Sequence, residues 1–260
     1  MVSPNAIRTA LGILGNIISF VLFLSPVPTF VQIWKKGSVE QFSAVPYLAT
    51  FGNCMLWVLY GVPVVHENSI LVLTINGIGC LIEVSYLVLF VLYSDKKRRV
   101  MVLLISLVEV IFVGILAALV LTLAHTLKMR SLVVGILCII FNILMYASPL
   151  SVMKMVITTK SVEYMPFSLS LAAFCNGLCW TAYALIPFDP FVAVPNGLGT
   201  LFGLAQLILY ATFYKSTKRQ VAERERKGQV GLTEVVVEKA ESNKISNEHP
   251  NGRVAERNGK

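Results

Sequence analysis

The sequence predicts an all-α membrane protein of seven transmembrane helices, arranged as two parallel three-helix repeats joined by a linker helix. Composition, an internal repeat and the placement of basic residues carry this reading. The chain is 56% hydrophobic and 14% charged, with a mean hydropathy of +0.73. A soluble domain carries about 25% charged residues, so this much apolar surface belongs in a bilayer. The stretch Ser25–Gly79 occurs twice: a shift of 123 carries Ser25-Pro26 onto Ser148-Pro149, Asn53 onto Asn176, Trp57 onto Trp180 and Tyr60 onto Tyr183. Asn76-Gly77 then matches Asn196-Gly197 at a shift of 120. In a membrane chain, such repeats usually place the substrate site at the interface between them.

The basic residues set the topology. Lys35, Lys36, Lys96, Lys97, Arg98, Arg99, Lys154, Lys160 and the basic tail fall on one side; Arg8, Lys128 and Arg130 fall on the other. The first side is expected in the cytosol, so the N-terminus is extracellular and the C-terminus cytosolic, which requires an odd number of spans. Three spans per repeat plus one linker gives both repeats the same orientation, related by an axis along the membrane normal.

Taken in order, spans are expected near Thr9–Trp34, Ala44–Val62 and Ser69–Tyr93, making residues 1–96 the first repeat. A first span this long, with its flanking charge after it, reads as retained and not as a signal peptide. Residues 97–129 hold the linker helix, with a span near Met101–Ala124 after the charged loop at 95–99. Residues 130–214 form the second repeat, with spans near Arg130–Lys154, Pro166–Ile186 and Phe191–Tyr214. From Lys215 charges, Ser, Asn and Gly dominate, and residues 215–260 read as a disordered cytosolic tail.

The net charge of +8 resides in short loops and the tail, which argues against nucleic acid. Cys54, Cys80, Cys138, Cys175 and Cys179 lie in apolar segments without a metal-ligand pattern. His66, His125 and His249 fall in loops or the tail, which leaves no buried acid–base site for an enzyme and no call for a cofactor. A seven-span receptor would lack the repeat, and a retinal protein would need a Lys that residues 191–214 do not contain.

Within the spans, Trp57, Trp180, Asn76 and Asn196 all fall roughly 8–10 Å from the outer ends of their helices. Asn53 and Asn176 sit one turn deeper than the Trp residues, on the same helix faces. A buried Asn must pair both its donors and its acceptor. One such residue is commonly an interhelical link, but two symmetric pairs beside two Trp favour a site. Amides match the hydroxyls of a neutral polyol, and a Trp face packs against the C–H surface of a sugar ring. Pro26, Pro46, Pro149 and Pro166 gather near the cytosolic helix ends, where proline permits a kink; they are candidates for a cytosolic gate. Pro46 and Pro166 read equally as helix-end punctuation. Tyr60 and Asp189 are placed to close the outer end, or to anchor it at the interface. Glu83 and Glu109 lie inside spans and have no repeat partner; helix-packing hydrogen bonds are expected of them in preference to a proton relay.

Four stretches carry a resemblance: Thr74-Ile75-Asn76-Gly77, Tyr146-Ala147-Ser148-Pro149-Leu150-Ser151, Lys160-Ser161-Val162-Glu163-Tyr164-Met165-Pro166, and Asp189 through Gly197. Across residues 7–215 the chain resembles the plant SWEET (MtN3/saliva) family of sugar transporters. The resemblance implies a facilitative uniporter in the plasma membrane. It implies a sugar pocket at Asn76, Asn196, Trp57 and Trp180, with Ser19, Leu22 and Met145 lining it. It also implies a proline tetrad at Pro26, Pro46, Pro149 and Pro166 and an outer gate at Tyr60 and Asp189. Asn53 and Asn176 resemble the hexose-favouring branch, since smaller residues tend to stand there in the sucrose-favouring one. Homo- or hetero-oligomers with related transporters are expected. A repeat transporter for sucrose, an amino acid or another small neutral solute is the alternative.

Overall fold

The computed structural model describes the backbone of residues 3–247 and the side chains of residues 3–227. Nine helices form among the described residues. They are α1 Pro4–Phe23, α2 Val27–Lys36, α3 Val45–Gly61, α4 Ile70–Tyr93, α5 Lys96–Leu123, α6 Leu127–Met145, α7 Ala147–Thr159, α8 Phe167–Ala184 and α9 Pro190–Asn247. Two broken pairs reduce these to seven spans: α1–α2 is one span interrupted at Leu24–Pro26, and α6–α7 is one interrupted at Tyr146.

Local chemistry explains the boundaries. Ser3 caps α1 by accepting from the Ala6 amide at 3.2 Å, and Pro4 occupies the first turn, where its missing N–H costs nothing. At the first break Pro26 caps α2; its ring cannot continue the hydrogen-bond ladder of α1. Gly37 ends α2 in the left-handed region at φ 66°, a conformation that glycine adopts without a Cβ penalty. Thr126 caps α6 through the Met129 amide at 3.3 Å. Asp95 accepts from the Arg98 amide at 2.9 Å and starts α5 at Lys96. The cluster expected as a loop at 95–99 therefore supplies the cap and first turn of the linker helix.

The helix pairs in contact mirror one another. Within the first repeat α4 packs against both α1 and α3; within the second, α9 packs against both α6 and α8. Across the repeats, α1 packs on α8 and α3 packs on α6. The third span of each repeat thus sits between the other two, and the linker α5 lies outside, against α3, α4 and α6. Close approach of α8 to α9 depends on Gly177, where a Cβ would lie 2.9 Å from the Thr200 amide nitrogen.

Five stretches are long and apolar enough to cross a membrane by length and composition: 4–36, 70–93, 96–123, 127–159 and 190–227. The other two spans, α3 and α8, have 17 and 18 residues, at the short end of what a bilayer core needs. Buried residues on α5 are only Val102 and Val120, as expected of a helix whose remaining apolar faces meet lipid.

Buried apolar side chains form two main clusters. One surrounds Trp57, Tyr60, Trp180, Tyr183 and Val192 and joins both repeats near the loop that carries His66. The other, around Phe30, Phe51, Tyr86 and Phe90, lies at the opposite end and draws on the first repeat and α5 alone. At that end the second repeat contributes a small cluster of Val156, Val162 and Met165.

The chain does not leave regular structure at Lys215, as its composition had predicted. From there α9 continues to Asn247, and its first polar turns grip the α7–α8 loop. Thr217 Oγ1 accepts from the Val162 amide at 2.8 Å, Gln220 donates to the Thr159 and Lys160 carbonyls, and Arg224 pairs with Glu163 at 2.5 Å. Neither Gly nor Pro interrupts residues 204–227, so nothing in the sequence stops the helix there. Residues 248–260 of the expected tail lie outside the described residues.

Candidate functional site

A cavity of about 160 Å³ lies between the repeats. Its wall includes Asn53, Trp57 and Asn76 from the first repeat and Asn176, Trp180 and Asn196 from the second, so all six residues singled out by the repeat meet in one space. Each is the counterpart of another across the pseudo-twofold axis. Asn76 and Asn196 are both the seventh residue of their helices. Trp57 and Trp180 both stand four residues before their helix ends.

Hydrogen bonding shows what each amide has left to offer. Asn76 Nδ2 donates to the Val72 carbonyl at 2.9 Å, and Asn196 Nδ2 donates to the Val192 carbonyl at 2.8 Å. Each bond fixes the side chain against its own helix and leaves Oδ1 and one N–H for the cavity. The deeper pair is held across the repeats. Asn176 Oδ1 accepts from Ser19 Oγ at 2.7 Å, and Asn53 Oδ1 accepts from Asn142 Nδ2 at 3.2 Å. Ser19 Oγ in turn accepts from Trp180 Nε1 at 3.2 Å. Asn53 and Asn176 therefore keep their N–H groups for a ligand.

Trp57 and Trp180 are each 6% exposed. Each is braced edge-on by a tyrosine of its own helix, Tyr60 at 5.4 Å and Tyr183 at 5.2 Å between ring centres. Gly15 makes room for Trp180, since a Cβ there would stand 2.9 Å from the indole.

At the His66 end a buried contact joins the two repeats. Tyr60 hydroxyl donates to both carboxylate oxygens of Asp189, at 2.9 and 3.0 Å, and both residues are buried. Asp189 Oδ1 also accepts from the Phe191 and Val192 amides, capping α9. His66 stacks on the Tyr60 ring at 4.6 Å and brings Nε2 to 3.7 Å from Asp189 Oδ2. That distance draws the imidazole toward its charged form, but desolvation is the larger effect. Burial pushes His66 below its ordinary value, and the charge of Arg8 adds to this. The mirror contact is Tyr183 hydroxyl to the Asn68 carbonyl at 3.1 Å, with the Arg8 guanidinium 4.2 Å above the Tyr183 ring.

Toward the other end a second space, of about 330 Å³, continues from Ser19, Asn53 and Asn176 past Leu22 and Met145 to Pro26 and Pro46. Leu22 and Met145, expected beside the Trp layer, line this lower space. The four prolines do not share one environment. Pro26 and Pro149 stand at the breaks of the first and fifth spans, whereas Pro46 lies in the first turn of α3 and Pro166 caps α8. Pro166 instead borders the groove between the α8 start and α9.

The structure adds Asn142 and Phe23 to the site. The repeat carried the signal for both: Asn142 is the counterpart of Ser19, and Phe23 that of Tyr146. Tyr146 hydroxyl donates to the Pro195 carbonyl beside Asn196. Two expectations are overturned. Glu83 Oε2 and Glu109 Oε2 are buried without a hydrogen-bond partner, so among the described residues neither acid makes the packing bond assigned to it. Glu109 rests against Gly52, Leu56, Phe112 and Phe141, a setting without donors.

Comparison with known proteins follows this architecture. A family model described as "Sugar efflux transporter for intercellular exchange" matches residues 9–98 and again 132–218, once per repeat. The bidirectional sugar transporter SWEET4 of Oryza sativa subsp. indica is 61% identical over 248 residues, covering 95% of this chain and 96% of that one. SWEET7 of Arabidopsis thaliana, also a bidirectional sugar transporter, is 57% identical over 250 residues, with 95% and 97% covered. A solved eukaryotic SWEET transporter superposes with a TM-score of 0.79 at 38% identity, covering 82% of this chain and 99% of that one. With two family matches that coincide with its two repeats, and with relatives this similar along nearly its whole length, the chain belongs to the SWEET (MtN3/saliva) family of membrane transporters, not to the enzymes.

Proposed function

We propose that this chain is a bidirectional facilitative uniporter that moves hexoses of the glucose type across a membrane by alternating access. The observation that carries this reading is the pocket between Trp57 and Trp180. Four asparagine amides there keep unpaired donors and acceptors, and no charged side chain lines the space. Such a lining suits a neutral polyol: amides pair with hydroxyls, and indole faces cover the C–H surface. An amino acid would call for charge to meet its carboxylate and ammonium. Asn53 and Asn176 narrow the floor, which favours a monosaccharide over a disaccharide.

The Tyr60–Asp189 contact serves as the outer gate in this reading. The breaks at Pro26 and Pro149 serve as hinges of the cytosolic gate, with Pro46 and Pro166 at the adjoining helix starts. The placement of Lys and Arg favours an extracellular N-terminus and a cytosolic C-terminus, and residence in the plasma membrane belongs to the same proposal. Self-association, or association with related transporters, belongs to the same proposal. The deciding experiment is uptake of labelled glucose and sucrose by cells expressing the chain, with and without a pH gradient. Glucose flux that follows its own gradient in both directions and ignores a protonophore is expected; accumulation above the external concentration would reject a uniporter.

A further inference from the structure

We propose that Glu83 forms a second sugar subsite in the lower cavity, where its carboxyl holds hydroxyls of a hexose entering or leaving on the cytosolic side. The inference rests on the transport reading above and adds a site below the Asn/Trp layer. Glu83 lies on α4 two turns beyond Asn76, on the same helix face, and both residues line the lower space. Its side chain is 3% exposed, and Oε2 has no hydrogen-bond partner. A buried, unpaired carboxyl oxygen is costly, and here it borders a cavity large enough to admit a ligand. Ionised or protonated, a carboxyl accepts from hydroxyls, so a polyol relieves that cost directly.

The surroundings supply the other half of a sugar site. Tyr47 lines the same space and stands edge-on to Phe30 at 4.8 Å, with Phe30 stacked on Tyr86 at 4.4 Å. Tyr86 hydroxyl is occupied by the Phe23 carbonyl at 2.9 Å, which ties this aromatic group to the end of α1 just before the Pro26 break. An aromatic ring beside a hydrogen-bonding carboxyl repeats the chemistry of the upper layer. Among the described residues Glu83 forms no ion pair, so no basic side chain competes for the carboxyl. Glu109 makes the contrast: its unpaired oxygen faces apolar residues in a separate pocket and has no polyol-sized polar space before it.

The second repeat places no acid at the matching position, so the subsite belongs to one repeat and one side. The two faces of the transporter should therefore bind sugar differently. The test measures half-saturating glucose separately for influx and efflux in sealed vesicles carrying the full chain, normalised to the amount of protein present. Glu83→Ala is expected to raise the efflux half-saturation about tenfold, the loss of roughly one hydrogen-bonded contact, and to leave influx within about twofold. Efflux Vmax should rise in step, since both directions of a passive carrier share one equilibrium. Glu83→Gln keeps the shape and one acceptor oxygen; it should raise efflux half-saturation about threefold, and it decides the matter should the alanine variant fail to reach the membrane. Unchanged half-saturation on both sides, or an equal rise on both, would overturn the subsite while leaving the transport reading intact. Absence of saturable glucose flux in the unaltered chain would overturn both.

Discussion

Asn142 donates to Asn53 at 3.2 Å across the interface between the two repeats, and its counterpart Ser19 donates to Asn176 at 2.7 Å. Each repeat thereby orients the deep asparagine of the other. The pseudo-twofold axis places one such bond on each side of the cavity, and the amides project into the floor as a matched pair. This arrangement links the two bundles at the depth of the cavity floor.

Selectivity should follow from that pair. Asn53→Ser with Asn176→Ser shortens both side chains and removes the bonds from Asn142 and Ser19. Sucrose transport relative to glucose is expected to rise about tenfold, the effect of relieving a steric clash of one to two kcal/mol. Paired uptake of the two labelled sugars at matched surface levels checks it. An unmoved ratio would shift the origin of selectivity to Leu22 and Met145.

Affinity should depend on the upper pair. Asn196→Ala removes an amide whose Oδ1 and second N–H face the cavity. A sugar hydroxyl left unpaired in a desolvated site costs about 1–3 kcal/mol, or roughly ten- to hundredfold in half-saturating glucose. The Val192 carbonyl also loses its extra donor but keeps its place in the α9 ladder, so folding should be little affected. A variant present at normal levels with unchanged glucose kinetics would count against the site.

Much of this was legible in the sequence because the repeat doubles every signal. Asn53, Trp57 and Asn76 could each have been a packing residue; their copies at Asn176, Trp180 and Asn196 made a shared role the simpler reading. Asn142 escaped because its counterpart is Ser19, and similarity of role is hidden when the residue type changes. That Glu83, noted as an acid inside a span, lacks a hydrogen-bond partner was hidden for another reason. Helix periodicity puts it on the face of Asn76, but whether a partner awaits it depends on what α3 and α1 bring near, and no sequence spacing encodes that. The polar turns after Tyr214 read as disordered by composition; their order comes from Thr217, Gln220 and Arg224 meeting, respectively, an amide N–H, carbonyls and a carboxylate some 60 residues earlier in the chain.

Opening of the outer end should be limited by the Tyr60–Asp189 contact. Tyr60→Phe keeps the ring stacked on His66 and edge-on to Trp57 and removes only the donor. A buried carboxylate that loses such a bond costs about 1–3 kcal/mol, which shifts the equilibrium between closed and open forms by roughly tenfold or more. A cysteine introduced at Val72, on the cavity wall, should then react faster with a membrane-impermeant thiol reagent added outside. Equal labelling rates with and without the tyrosine hydroxyl would show that the contact does not hold the gate.

The same contact should respond to pH through His66. In the closed form, burial lowers the imidazole below its ordinary value, with Arg8 adding to the effect and Asp189 and Glu67 opposing it. Opening hydrates the ring and returns it toward about 6.5. Above that pH His66 is neutral in both forms and adds no bias. As the pH falls through that value, the open form binds the proton more readily than the closed one, so closure loses stability. Acidifying the outside from about pH 7.5 to 5 should therefore favour outer opening and raise thiol labelling of the Val72→Cys cavity probe. His66→Gln cannot titrate yet keeps a polar group next to Asp189, so its labelling should be flat across that range. A wild-type protein whose labelling slows on acidification would mean that attraction between protonated His66 and Asp189 outweighs desolvation. In that case the imidazolium would strengthen the closed gate instead of loosening it.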